Sequence, residues 1–334
     1  MKFGRIALPS PDGKVARLVV VEPEKGRVVD LARAAALNFA DKYQATEEAA
    51  TAMAKVAFPG SLVQALSLGT HLTDRSEEVV SRRGDDASLP LNGVEWLPAS
   101  DAPLVRDTLN FVGHIKGFHD RMGTPPAPSL LKIPAYTKNS GTMVIGQDAT
   151  VPWPGYINYM DYELELGFVV GLRGRNLNPE TAKKHLFGIT IYNDFSGRDL
   201  QGNEMPILMG ATKSKDFAHA IGPWITTIDE FKDLDDISME VRVNGEVITK
   251  TNSSGTLWSI YEQLAYISLG EYIQPGDVIG SGTVGNGSFL EKGRQLSPGD
   301  VVEMEVGGVG VLRNTLGQKQ EGLWWPSERP AGSL

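Results

Sequence analysis

The sequence predicts an α+β protein made mainly of strand, with a small β-rich module at its N-terminus. Three observations predict it. Strand-like runs punctuated by Gly, Pro and Asn dominate beyond residue 105, a hairpin-rich stretch opens the chain, and helical periodicity is confined to a few segments. With 334 residues, 41% hydrophobic and 22% charged, there is material for one large domain or two ordinary ones. A soft boundary near residues 85–105 separates a module over 1–95, with its helices, from a domain over 105–330.

Residues 3–31 read as short strands: Pro9-Ser10-Pro11-Asp12-Gly13 breaks the chain, Leu18 to Val21 is an apolar run, and Pro23 to Gly26 turns into Arg27 to Leu31. From Asp30 to Leu68 the alanine-rich texture is helical; Pro59-Gly60 interrupts it and Ser61 caps a second helix bearing Leu62, Leu66 and Leu68. The charged stretch 72–91 reads as an exposed loop or a fraying helix end. Further on, Val151 to Pro154 leads into an acidic strand, and Phe168-Val169-Val170 is apolar. Thr181 to Phe187 is a short helix introduced by Asn178-Pro179-Glu180. Asn244-Gly245 signals a tight hairpin, Leu257 to Leu269 a helix ended by Gly270, and Pro275-Gly276-Asp277 and Pro298-Gly299-Asp300 two type II turns.

Composition excludes several functions. The net charge of −9, from 32 basic and 41 acidic residues, opposes general binding to nucleic acid or anionic membranes. No cysteine is present, which rules out disulfides, thiolate zinc sites and a cysteine nucleophile. The N-terminus lacks a sustained apolar segment and no run approaches membrane-span length, so a cytoplasmic location is expected.

The chemistry concentrates in Asp161-Tyr162-Glu163-Leu164-Glu165-Leu166 and in Tyr192 to Gln201. On a strand, Glu163 and Glu165 point one way, about 7 Å apart, while Tyr162, Leu164 and Leu166 point into a core. Two such carboxylates suit a hard divalent ion between them. The alternative is a solvated acidic strand face, and Asp161 shares its parity. His114 is a candidate general base, set against the commoner structural histidine. His119, five residues on, has no cysteine partners for a zinc site. Lys213-Ser214-Lys215 is either a surface turn or a source of positive charge for an anionic substrate. Arg198 and Gln201 would share one side of a helical turn with Asp194. Gly280-Ser-Gly-Thr283-Val-Gly285 has the letters of a dinucleotide loop without a following helix. It is a plain hairpin loop or one that admits a small ligand, with Thr283 as a hydroxyl contact. Five tryptophans (153, 224, 258, 324 and 325) line a pocket or pack a core.

Read together, Glu163-Leu-Glu165, Asn193-Asp194-x-Ser196-x-Arg198-Asp199-x-Gln201, Lys215 and Gly282-Thr283 resemble the fumarylacetoacetate hydrolase family over residues 105–315. The resemblance implies a mixed β-roll, usually a homodimer, and a metal held by Asp107, Glu163, Glu165 and Asp194, with Asp161 as a bystander. Asp107 precedes His114 by seven positions, as in the fumarylacetoacetase-like branch, and Gly287-Ser288-Phe-Leu-Glu291 resembles the segment whose glutamate orients the histidine. Arg198, Gln201, Lys215, Thr283 and Tyr136 match substrate-side positions. There are departures: Gly197 replaces a common alanine, His219 stands where a hydroxyl residue is usual, and Gly117 replaces the glutamate of a His-x-x-Glu branch.

The activity implied is hydrolytic cleavage of a C–C bond in a 1,3-dicarbonyl or acylpyruvate-type substrate. Mg²⁺, Mn²⁺ or Ca²⁺ would stabilise the enolate, His114 and Glu291 would activate water, and Lys215 would add charge. Decarboxylation, tautomerisation or dehydration of an oxoacid are alternatives with the same metal, and a non-catalytic metal-binding protein is a further one.

Overall fold

The computed structural model describes residues 1–330 and 332, apart from 12 and 70. Strand outweighs helix, as expected of an α+β chain. Among the described residues a twelve-stranded sheet runs from Ser88–Pro90 through Arg27–Asp30, Gly13–Glu22, Lys2–Ser10, His219–Thr227, Leu186–Asp194, Leu164–Val170, Val278–Gly280 and Leu104–Leu109 to Ala135–Ser140, with Glu95–Trp96 pairing to Lys2–Ser10 and Val144–Ile145 to His219–Thr227 off this path. Phe3 pairs with Ile225, so the N-terminal strands extend the same sheet as the acidic strand. A five-stranded sheet, Glu246–Asn252, Ser238–Val243, Val301–Val306, Gly310–Lys319 and Thr150–Trp153, is hydrogen-bonded separately, and its Val241, Met304 and Leu312 share one apolar cluster with Leu166, Phe168 and Ile189 of the large sheet.

Local signals are realised where the backbone demands them. Asn244 and Gly245 both have positive φ, 52° and 80°, as the tight hairpin requires, and Gly276 and Gly299 sit at 84° and 87°. The Ser61 side chain caps Leu62–Ser67 through Gln64 N, with Leu62 and Leu66 buried and Leu68 exposed. Ser259 and Glu262 form a capping box on Ile260–Ile267. Asp12, in the first expected turn, lies outside the described residues.

Two expectations fail. Residues 72–83 form a full helix, Leu72–Arg83, not a loop or a fraying end. Leu72, Ser76 and Val79 make a buried face on it, and the charges that suggested exposure take the other side. Ser76 is accommodated there because its hydroxyl donates to Leu72 O at 2.6 Å. The helix expected over 181–187 spans only Pro179–Ala182, followed by a tighter turn, and Leu186 already belongs to a strand. Asn178 caps it, but pairing of Leu186 with Val170 takes the backbone away from helix.

The strand Leu164–Val170 is buried on both faces. Leu164, Leu166, Phe168 and Val170 join one apolar cluster, and Val169 another with Val105, Tyr192 and Val278. The acids at its start therefore lie beneath other chain, away from solvent.

Candidate active site

Antiparallel pairing puts Leu164 opposite Asn193 and Glu165 opposite Tyr192, which brings Glu163 and Glu165 beside Asp194. Asn193 secures the approach, its side-chain oxygen accepting from Glu163 N at 3.1 Å. Asp107 arrives on Leu104–Leu109, beyond Val278–Gly280 in the sheet. Oxygens of Asp107, Glu163 and Glu165 lie within 4.8 Å of one another. Lys215 links Asp194 to this group. Its ammonium donates to Glu163 Oε2 and, at 2.6 Å, to Asp194 Oδ2, and stands 3.9 Å from Asp107 Oδ2.

The four carboxyls divide electrostatically. Burial, then the Asp194 charge, raises Asp107 well above the usual carboxylate range, and burial, then Asp107 and Glu163, does the same to Glu165. For Glu163 and Asp194 burial is again the largest single influence and works in the same sense, but Lys215 acting together with Arg198 at the first and His219 at the second exceeds it, and both are lowered. Burial would discharge Lys215, yet Asp194, Glu163 and Asp107 hold it above its ordinary value. Asp107 Oδ1 is buried with no hydrogen-bond partner. A buried, all-oxygen set with one unpartnered oxygen, in which two carboxyls are disfavoured as anions, fits a hard divalent cation.

His114 sits on Val112–Met122, buried, with Nδ1 at 3.1 Å from Glu291 Oε2 in a close approach that lies off the N–H direction. Glu291 is itself fixed, accepting from Asn286 N at 2.9 Å, Ser288 N at 3.3 Å and Ser288 Oγ at 3.1 Å. A Cβ on Gly117 would lie 2.8 Å from Glu291 Oε1. The distant glutamate fills the space beside the histidine that a side chain at 117 would need.

Other expected residues take different places. Thr283 Oγ1 donates to Glu165 Oε1 at 3.3 Å and Gly282 N to Glu165 Oε2 at 3.0 Å. The glycine loop thus clamps a carboxylate. Gly282 has φ 81°, and a Cβ there would meet Thr108 O at 2.6 Å, so only glycine fits. Arg198 is engaged within the protein: Nε donates to Asp161 at 2.8 Å and Nη1 to Gln201 Oε1 at 2.9 Å, while Nη2 lies 2.8 Å from both Asp161 and Glu163 in ion pairs that lie off the N–H directions. Among the described residues, Gln201 meets the site through that guanidinium. Tyr136 is not brought to the acids. It pairs with Thr108, the neighbour of Asp107, so its ring leaves the opposite face and packs edge-on against Tyr266. The tryptophans mostly pack: Trp153 donates to Ile157 O, Trp258 to Leu130 O, Trp224 lies on Trp96 and Trp325 stacks on Tyr156, while Trp324 is exposed.

Residue-level reading missed two groups. Asp161, taken for a bystander, is completely buried and bonded to Arg198; its parity with Glu163 and Glu165 was the available signal. His219, noted only as a departure, is buried between Asp194 Oδ1 at 3.2 Å and Asp216 Oδ1 at 3.1 Å, with Tyr192 Oη at 2.9 Å. Burial lowers its pKa, but hydrogen bonds to Asp194 and Asp216 prevail and raise it to about 9.

Fold and site together define a class: a β-rich scaffold enclosing a carboxylate group able to hold a cation, with a histidine–glutamate pair beside it. The chain belongs to the fumarylacetoacetate hydrolase family, whose model for the fumarylacetoacetate (FAA) hydrolase C-terminal region matches residues 104–317. An uncharacterised protein of Archaeoglobus fulgidus is 32% identical over 232 residues, covering 69% of this chain and 85% of the relative. Oxaloacetate tautomerase YisK of Bacillus subtilis is 27% identical over 270 residues, 78% of this chain and 87% of that protein. Among solved structures, fumarylacetoacetate hydrolase from Exiguobacterium antarcticum superposes with a TM-score of 0.69 at 26% identity, covering 96% of this chain and 100% of the other. Maleylpyruvate hydrolase from Sphingobium sp. SYK-6, in complex with manganese(II) and pyruvate, shares the fold with a TM-score of 0.66 at 20% identity over 96% and 100% of the two chains. The relatives with named activities are enzymes: hydrolases, isomerases and a tautomerase. No helix among the described residues is long and apolar enough to cross a membrane.

Proposed function

We propose that this protein is a divalent-metal-dependent hydrolase that cleaves a C–C bond in a 1,3-dicarbonyl or acylpyruvate-type anion. The observation that carries the reading is the His114–Glu291 contact of 3.1 Å, set against the buried carboxylate group. Mg²⁺ or a similar ion held by Asp107, Glu163, Glu165 and Asp194 would act as a Lewis acid toward the carbonyl and enolate oxygens of the substrate. His114 takes a proton from water as the oxygen attacks the electrophilic carbonyl. Glu291, anchored by the 286–288 turn, orients the ring and stabilises the imidazolium that forms. When the C–C bond breaks, its electron pair goes to the carbanion carbon, which recovers a proton from His114. Lys215, held cationic by its carboxylate neighbours, adds positive charge close to that developing anion.

Tautomerisation of an oxoacid is the second reading, favoured by the likeness to oxaloacetate tautomerase over 78% of the chain. It needs the same base and the same positive charge, but no water attack. One experiment separates the two. Acylpyruvates, β-diketones and oxaloacetate are incubated with Mg²⁺ or Mn²⁺ in H₂¹⁸O, and products are followed with enol absorbance. Hydrolysis yields two fragments with ¹⁸O in the new carboxylate. Enol loss without fragmentation means tautomerisation, and CO₂ release means decarboxylation; either would remove the hydrolase reading.

A further inference from the structure

We propose that Asp161 is a positioning residue that ties the two halves of the site together, setting Glu163 through Arg198 and Glu291 through the backbone of Phe289 and Leu290. The inference rests on the metal-site reading above and adds to it a residue that touches neither the metal nor the substrate.

Asp161 is completely buried. Its Oδ1 accepts from Tyr162 N and from Phe289 N, both at 2.8 Å, and its Oδ2 accepts from Leu290 N at 3.1 Å and Arg198 Nε at 2.8 Å. Each of its two neighbours leads directly to a functional group. Arg198 Nη2 lies 2.8 Å from Glu163 Oε1, opposite the oxygen that Lys215 holds. Leu290 is followed by Glu291, whose carboxylate faces His114. The backbone at Asp161 is also pinned, because it pairs with Ser196 two residues before Arg198. Four donors converge on this side chain and no acceptor does, so a carboxylate serves all of them. An amide of the same shape would turn its NH₂ either toward Arg198 and Leu290 N or toward Tyr162 N and Phe289 N.

The test compares D161N with the wild type, R198K and E291Q. Mn²⁺ affinity is read by calorimetry, and hydrogen–deuterium exchange is read in the peptide covering 285–292. D161N is expected to weaken Mn²⁺ binding by roughly 10- to 100-fold, the range for residues that orient metal ligands, and to speed exchange in 285–292. R198K should show the metal defect without the exchange change, and E291Q should keep wild-type Mn²⁺ affinity. At saturating Mn²⁺, D161N should retain its KM but lose roughly tenfold or more in kcat, because the histidine partner stays displaced. Wild-type Mn²⁺ affinity, unchanged exchange, or full recovery of kcat at saturating Mn²⁺ in D161N overturns the proposal. If D161N does not fold, R198K decides, since wild-type Mn²⁺ affinity there breaks the proposed link to Glu163. Wild-type protein that binds Mn²⁺ but turns over no oxoacid removes the functional reading alone, and calorimetry and exchange then still judge Asp161. Wild-type protein that binds no Mn²⁺ removes both.

Discussion

Glu163-Leu164-Glu165 and Glu303-Met304-Glu305 have the same acid-x-acid pattern around a fully buried apolar residue, and the fold gives them opposite surroundings. Glu303 and Glu305 lie on the open face of the five-stranded sheet, where Arg242 stands 3.5 Å from the first and 2.8 Å from the second. Water and the Arg242 guanidinium screen them, so their charges are worth little to the fold. Glu163 and Glu165 are roofed by Lys215, Arg198 and the glycine loop, which come from sequence positions 33 to 120 residues away. The solvated strand face considered for the first pair describes the second. What separates them is the cover, which takes the first pair out of water and leaves the second in it.

The sharpest way to test this contrast is to remove one acid from each pair. Glu165→Gln should abolish turnover and the thermal stabilisation given by Mn²⁺, which in the wild type reaches about 2.7 kcal/mol at a hundredfold excess over Kd. Stripping the wild type with EDTA should lower its melting temperature to the metal-free value, whereas EDTA should leave Glu165→Gln unmoved. A melting scan of the four samples checks both statements. Next in size, His114→Ala should cost about 10²- to 10⁴-fold in kcat while keeping the Mn²⁺-induced shift; activity within a few-fold of wild type would show that another group is the base. Met304→Ala should destabilise by about 2–5 kcal/mol in urea titrations and leave kcat at wild-type level, because the packing beneath Glu303 and Glu305 serves the sheet alone. The smallest effect belongs to Glu305→Gln, which should change stability by no more than about 0.5 kcal/mol, a difference that fades in high salt. A larger loss there would erase the contrast between the two pairs.

Much of the site was legible because its parts stand in a recognisable order. Asp107, Glu163, Glu165, Asp194, His114, Glu291 and Lys215 were all named from the sequence, and the structure gathers them. Thr283 and Arg198 were also placed near the centre, but as substrate contacts. The protein groups they meet, Glu165 and the Asp161–Glu163 pair, depend on which side chain faces which across strands distant in sequence. Tyr136 stands on the face away from Asp107 for a related reason: the alternation of side chains on its strand is visible in sequence, whereas its register against Asp107 is not. The helix Leu72–Arg83 went unread because six of its twelve residues are charged, and its narrow buried face is defined only by what packs on it.

The two Pro-Gly-Asp turns draw the line between the two kinds of information. Both glycines adopt the positive φ that the tripeptide demands, since a local backbone preference acts within four residues. The aspartates then part. Asp277 is buried against Arg106 at 2.8 Å, while Asp300 bonds Asn244 and Ser297 N at the surface. Turns, caps, strand parity and the inventory of acids were determined by the sequence itself, because short-range sterics and hydrogen bonding settle them. Which acids are desolvated, which cation neutralises each, and therefore which can bind a metal were decided by the tertiary structure, because burial and Coulomb energy depend on distances that only the folded chain sets.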